Sequence, residues 1–250
     1  MAKDLFSKQA GLYASHRPGY PQALADYILS FVHEKNRAWD CATGNGQAAI
    51  LFAPHFQEVE ATDISARQIS HAQHHPSILY SVGSMENNGF PGNHFNLITV
   101  AQAYHWFPFD VFHREAMRTG KPGCIIAVWG YGLVQTTHPA IQEAIRRFYT
   151  DIVGKYWDPE RRYVDEAYQT VPFAFKRLPG RSFVSEKRWS RQDLAGYLHT
   201  WSSVQHFISA NGFDPVDDFE EDLPSIWPGP DTLTFSFPIF LLLGQVEKPV

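Results

Sequence analysis

Cysteine is scarce in this chain of 250 residues, which has only Cys41 and Cys124. Both fall in stretches that read as buried strands. No disulfide framework is expected, and two reduced structural thiols suit a cytoplasmic protein. Positive charge is also short. The net charge is −5 and no run of five or more basic residues occurs, which argues against a nucleic-acid partner held by bulk electrostatics. No apolar segment approaches a membrane span, and Met1-Ala2-Lys3-Asp4-Leu5-Phe6 has no apolar core of signal-peptide length, so no membrane partner is expected. Leu241-Leu242-Leu243 is a short apolar run in a β-like stretch. Histidine is plentiful at twelve residues, yet most are isolated, and His74-His75 lacks the paired spacing of a metal site. No metal is expected. There is no internal repeat and no low-complexity linker. With 44% hydrophobic residues, the chain reads as a single domain over 1–250 with one substantial core.

What is present is alternation of strand and helix patterns. Pro21 opens a helix whose apolar face is Leu24, Tyr27, Ile28, Phe31 and Val32. Strands are expected over 37–41, 59–62, 78–82, 95–101 and 124–129. Helices are expected from Gln47 onward, from a Ser65 cap through His71, and over 108–119, the last stopping at Gly120-Lys121-Pro122-Gly123. Such alternation implies an α/β fold with a mostly parallel sheet and helices on both faces. Beyond Tyr131 the pattern changes. Ile141, Ile145, Phe148, Tyr149 and Ile152 share a helical face, and a charged helix is expected near 161–169. Residues from about 131 to 180 therefore read as a helical cap inserted between strands. A strand over 182–189, a helix over 190–200 capped by Ser190, and a β segment over 232–246 close the chain. Pro238 suggests an edge or bulge position in that last segment.

The densest signal is Trp39-Asp40-Cys41-Ala42-Thr43-Gly44-Asn45-Gly46-Gln47-Ala48-Ala49, followed by Glu60-Ala61-Thr62-Asp63. An acid precedes a glycine turn, the turn enters a helix, and a second acid ends the next strand. That layout builds a nucleotide-type pocket at the first strand–helix junction of an open sheet. Gly44 to Ala49 also satisfies the dinucleotide pattern, so a nicotinamide-dependent oxidoreductase stays open. The strand entering such a dinucleotide turn is apolar to its end, whereas here Asp40 stands four residues before Gly44. A buried carboxylate is costly unless hydrogen-bonded, and an ammonium group with nearby backbone N–H groups would supply partners.

At these residues the chain resembles the class I S-adenosylmethionine-dependent methyltransferases, and within them the trans-aconitate methyltransferase-type group. The resemblance includes Asp40 to Gly46, Asp63, Gly83-Ser84-Met85-Glu86, Phe95-Asn96, His105-Trp106, Lys121-Pro122-Gly123, and the opening Tyr13-Ala14-Ser15-His16-Arg17-Pro18-Gly19-Tyr20-Pro21. It implies a Rossmann-like seven-stranded sheet with an antiparallel last strand, and S-adenosylmethionine as cofactor. On that resemblance Asp40 and the backbone of Thr43, Gly44, Asn45 and Gly46 hold the methionine portion, and Asp63 accepts the ribose hydroxyls. Ile64 packs on the adenine, Ser84 and Met85 border its edge, and Ala101 with Gln102 floors the pocket beneath the sulfonium. Four positions depart from the family pattern. Ala42 stands where a glycine is usual, tolerable at negative φ; Ser84 and Asn96 replace aspartates, and Cys124 replaces a glycine.

Methyl transfer needs alignment and desolvation, and a base only for acceptors that carry a proton to be removed. His105 follows the fourth strand at the carboxyl edge of the sheet and is the candidate catalytic residue, with a turn-capping role as the bland alternative. His105, Trp106 and Tyr131 are candidate substrate contacts. Tyr13, His16 and Arg17 could form a lid over the cofactor within residues 1–20, or a structural wrap, with Arg17 able to pair with a carboxylate. Arg161 and Arg162 are expected on a solvated helix face. The aromatics of the second half, among them Phe148, Tyr149, Tyr156, Trp157, Tyr168, Phe173 and Trp201, suggest a cap that encloses a small organic acceptor. A methyltransferase-like protein that binds cofactor without activity is the remaining alternative.

Overall fold

A computed structural model describes residues 16–86, 88–229 and 232–248. Its strands are β1 (Arg37–Cys41), β2 (Glu58–Asp63), β3 (Ile78–Val82), β4 (Phe95–Ala101), β5 (Gly120–Tyr131), β6 (Lys176–Arg177), β7 (Phe183–Trp189) and β8 (Leu233–Gln245). They form one sheet in the order β3-β2-β1-β4-β5-β8-β6, with β7 also pairing to β8. β1 to β5 are mutually parallel, and β8 runs antiparallel to β5, β6 and β7. β6 and β7 pair with opposite ends of β8, so they share one place at the edge. The seven-position sheet with an antiparallel last strand thus holds, with its outermost position filled by two short pieces.

Alternation along the buried strands explains the two cores. In β5, Ile125, Ala127, Trp129 and Tyr131 enter one cluster, while Ile126 and Val128 enter the other. The first cluster takes up the helices Gln22–Leu29 and Gln47–Phe52; the second takes up Phe109–Thr119. Strands buried on both faces need near-continuous apolar runs, which is why β4 and β5 were legible.

Pro238 departs from the edge expectation. It lies inside β8, opposite Val184 of β7. β5 stops pairing one residue earlier, at Tyr131 opposite Ile239, and the Pro238 carbonyl accepts from Gly132 N–H. Proline, which has no amide hydrogen to donate, thus stands just past the last ladder pair between β5 and β8.

The helical region is also larger than expected. Pro139–Arg147, a π-helical turn Phe148–Ile152, a short turn Gly154–Tyr156 and Arg161–Asp165 occupy the span 139–165. They contact Ser202–Asn211 and Pro215–Ile226, two of the three helices, with Arg191–His199, inserted between β7 and β8. Ser190 caps Arg191–His199 in a capping box with Asp193. The helix expected to run to residue 169 ends at Asp165, and the chain then turns through Ala167 and Tyr168, both at positive φ.

Candidate functional site

The carboxyl ends of β1, β2 and β4 converge at the point where the strand order reverses between β1 and β4, the crevice in which open α/β sheets bind ligands. Register places Asp40 of β1 directly across from Thr99 of β4. The Asp40 carboxylate is buried and accepts from Thr99 Oγ1 at 2.7 Å and from Thr43 Oγ1 at 2.5 Å. No cation pairs with it among the described residues. Burial raises its carboxyl from 3.8 to about 6, with the neighbouring Asp63 charge adding and the two hydroxyls opposing. Such a group gains from a positively charged ligand.

Asp63 ends β2 and ties the turn to it. One carboxylate oxygen accepts from Gly44 N–H and the other from Ser65 N–H, both at 2.8 Å. Ser65 in turn caps the helix Ala66–Ile69 through Gln68 N–H. The turn itself is tight. Gly46 sits at φ +84°, and a Cβ there would fall 2.2 Å from the Tyr80 hydroxyl. Ala42 adopts φ +56°, not the negative value that its substitution for glycine was expected to need. An alanine in the left-handed region costs about 1 kcal/mol, so strain is stored at the entry to the turn.

The remaining expected residues end or follow β1 to β4 at their carboxyl ends. Thr43 and Asn45 are largely buried within the turn, and Met85 is buried while Ser84 is half-buried. Ile64 is 37% exposed, an apolar side chain left open at the carboxyl edge beside Asp63. Ala101 ends β4 and Gln102 follows at φ +56°, its backbone N–H held by Trp129 O. The Gln102 side chain lies over Gly130, where a Cβ would come within 2.7 Å of Oε1. That oxygen is buried and has no hydrogen-bond partner among the described residues.

Next to Gln102 opens a cavity lined by Arg17, His105, Trp106, Trp157, Arg161, Val164, Trp201 and Ser202. Arg17 donates to Tyr131 Oη and to Thr200 O, both at 2.9 Å. Tyr131 therefore stands behind Arg17 rather than on the cavity wall. Arg161 is not on a solvated face as its sequence context suggested. Its guanidinium stacks over Trp157 at 4.6 Å and its Nε donates to Tyr149 Oη at 2.9 Å. Among the described residues its two terminal nitrogens have no hydrogen-bond partner. Arg162 does lie outward, over Tyr163. His105 is buried, and burial together with the Arg161 and Arg17 charges pushes its imidazole down to about 3. Tyr13 lies outside the described residues, as does most of the expected lid; within it, His16 and Arg17 are described. Among the described residues no cluster could hold a metal ion, and no helix is long and apolar enough to cross a membrane.

Sequence reasoning missed Thr99, Arg161 as a cavity residue, and the link from Tyr168 to His105. Thr99 carried a legible signal, a hydroxyl inside the apolar run Leu97-Ile98-Thr99-Val100. Arg161 and Tyr168 carried none, because they reach the cavity only through tertiary packing.

Residues 39–128 match the family model described as a methyltransferase domain. A protein of Dictyostelium discoideum that carries the name methyltransferase is 30% identical over 98% of this chain and 95% of its own length. A solved structure from Anaeromyxobacter dehalogenans, named as a type II methyltransferase, is 33% identical with a TM-score of 0.84, covering 93% of this chain and 99% of that one. A Bacillus halodurans protein at 17% identity and TM-score 0.53 shares the fold. None of these relatives favours a nicotinamide-dependent oxidoreductase. With Asp40, the glycine turn and Asp63 assembled at the crevice of this sheet, the chain belongs to the methyltransferase family.

Proposed function

We propose that the protein transfers a methyl group from S-adenosylmethionine to a carboxylate oxygen of a small organic acid. The observation that carries this reading is Asp40, a buried carboxylate that accepts from two hydroxyls and pairs with no cation among the described residues, beside a glycine turn closed by Asp63. The donor set fits the cofactor. Asp40 suits the methionine ammonium, the close-packed Gly46 turn admits backbone approach, and Asp63 puts a carboxylate, the acceptor that ribose hydroxyls call for, at the end of β2. Ile64 offers an apolar surface to adenine, with Ser84 and Met85 at its edge. When bound, S-adenosylmethionine supplies an activated methyl group on a sulfonium, ready for in-line displacement.

The acceptor belongs in the cavity beside Gln102. Arg17 and Arg161 place two guanidinium groups there, and carboxylate is the common anion that such forks bind. Trp106, Trp157 and Trp201 supply apolar walls, and the helices over 139–165 act as a cap that excludes water. A carboxylate oxygen needs no proton removed before attack. The resemblance to the trans-aconitate methyltransferase-type group supports the same acceptor atom, with Tyr13 and Arg17 as lid.

Calorimetric titration with S-adenosylmethionine and S-adenosylhomocysteine comes first, followed by mass-spectrometric screening of small carboxylic acids beside their primary amides. The expected result is micromolar cofactor binding and methyl esters from acids but no product from amides. Binding of NAD in place of S-adenosylhomocysteine would refute the cofactor reading. Cofactor binding with methylation confined to neutral acceptors would refute the acceptor class, and cofactor binding without any transfer would make the protein a binder.

A further inference from the structure

His105 and Tyr168 are 63 residues apart and meet in the interior. His105 lies in the short turn Tyr104–Trp106 after β4, and Tyr168 follows the helix Arg161–Asp165. The Tyr168 hydroxyl stands 2.8 Å from His105 Nδ1. The Tyr168 side chain is fully buried, and burial pushes its phenol far above the ordinary range, so it keeps its proton. Among the described residues that proton has one acceptor, Nδ1. A neutral imidazole that accepts at Nδ1 carries its hydrogen on Nε2. His105 lines the cavity, and Nε2 is the ring nitrogen that Tyr168 does not engage.

The backbone is strained where it delivers Tyr168. Ala167 and Tyr168 adopt φ +51° and +57°, two consecutive left-handed residues with no glycine. Each costs about 1–2 kcal/mol, and such strain persists only where the surroundings over-determine it. Here the Tyr168 ring packs edge-on against Phe240 at 4.8 Å, and Tyr168 N–H bonds to Tyr163 O at 2.8 Å. The charged groups acting on the His105 ring are the Arg161 and Arg17 guanidinium groups, and both oppose protonation.

We propose that Tyr168 is a positioning residue that locks His105 as a neutral Nε2–H donor, so that His105 holds the acceptor by hydrogen bonding and takes no proton from it. The proposal rests on the reading of this cavity as the acceptor site. With Arg17 and Arg161, the imidazole completes a set of donors and cations, and no base faces the cavity from these three residues. The acceptor class narrows accordingly to acids already ionised near neutral pH, and excludes phenols, amines and carbon acids that need a base here.

Long-range proton–nitrogen NMR of the histidine rings, recorded from pH 4.5 to 8, tests it, with His105→Gln used for assignment. In the intact protein His105 should remain neutral and Nε2–H throughout. Tyr168→Phe keeps the ring and removes only the hydroxyl. Losing a net hydrogen bond of about 1.4 kcal/mol should raise the Nδ1–H population about tenfold. A His105 that titrates between pH 5 and 8, or one protonated on Nδ1, would overturn the proposal, as would a tautomer unchanged in a folded Tyr168→Phe. The titration of the intact protein decides even where a variant fails to fold. Cofactor affinity is read separately on the same samples, so failure of the cofactor reading is distinguishable from failure of this one.

Discussion

Asp40 offers the sharpest test, because its burial makes opposite demands on stability and on binding. In the folded protein its carboxyl rises from 3.8 to about 6. At about 1.4 kcal/mol per pH unit, keeping it ionised at pH 7 costs about 3 kcal/mol. The folded state binds the proton more tightly than the unfolded state does. Stability from this group is therefore present at low pH and is lost as pH rises from about 4 to about 6. A cationic ligand reverses the preference, since only the ionised form attracts an ammonium group. If only ionised Asp40 binds, S-adenosylhomocysteine affinity should be nearly constant above pH 7 and fall about tenfold by pH 5. Asp40→Asn fixes the neutral form without changing shape, and the Thr43 and Thr99 hydroxyls can reorient to suit an amide. The variant should melt higher than the parent at pH 7, by up to about 3 kcal/mol, while its affinity falls at least about tenfold and loses its dependence on pH. Calorimetry at pH 5, 6 and 7 with thermal melts of both proteins measures every quantity. An affinity that is flat across that range and unchanged in Asp40→Asn would refute the assignment of Asp40 to the ammonium.

The turn supplies two further tests. Ala42→Gly removes a left-handed alanine at φ +56°, and should stabilise the protein by about 0.5 kcal/mol after the extra chain entropy of glycine is counted, visible as a melting-temperature rise of about 1–2 °C. A lower melting temperature would mean that the strain is absent. Gly46→Ala should destabilise by more than about 1 kcal/mol in denaturant titration and weaken S-adenosylhomocysteine binding, because φ +84° and the Tyr80 hydroxyl both reject a Cβ. Unchanged stability and affinity would show that the turn relaxes freely.

Much of the site was legible because it is local. Asp40, the turn from Thr43 to Gly46, and Asp63 lie on two successive strands, and the spacing of acid, glycine and strand end already specifies their meeting. The inner helices of the second half were harder to read. Ser202–Asn211 starts at Trp201 without a side-chain cap, and Pro224 interrupts the apparent pattern of Pro215–Ile226. The latter did carry a start signal, an Asp214 cap with Pro215 at the first helical position and acids in the first turn, which marks a helix N-terminus.

Periodicity and turn chemistry along the chain were enough to specify a parallel sheet, its crevice and a carboxylate pair around a glycine turn. Each of those depends on neighbours within a few residues or on strands that follow one another. The chemistry of the cavity was decided only by tertiary packing. Arg161 faces inward because Trp157 and Tyr149 receive its guanidinium, and His105 is kept neutral by burial beside Arg161 and Arg17 while Tyr168 reaches its Nδ1 from 63 positions away. A side chain's charge, tautomer and direction follow from what surrounds it in space, and the sequence gives that surrounding no local signature.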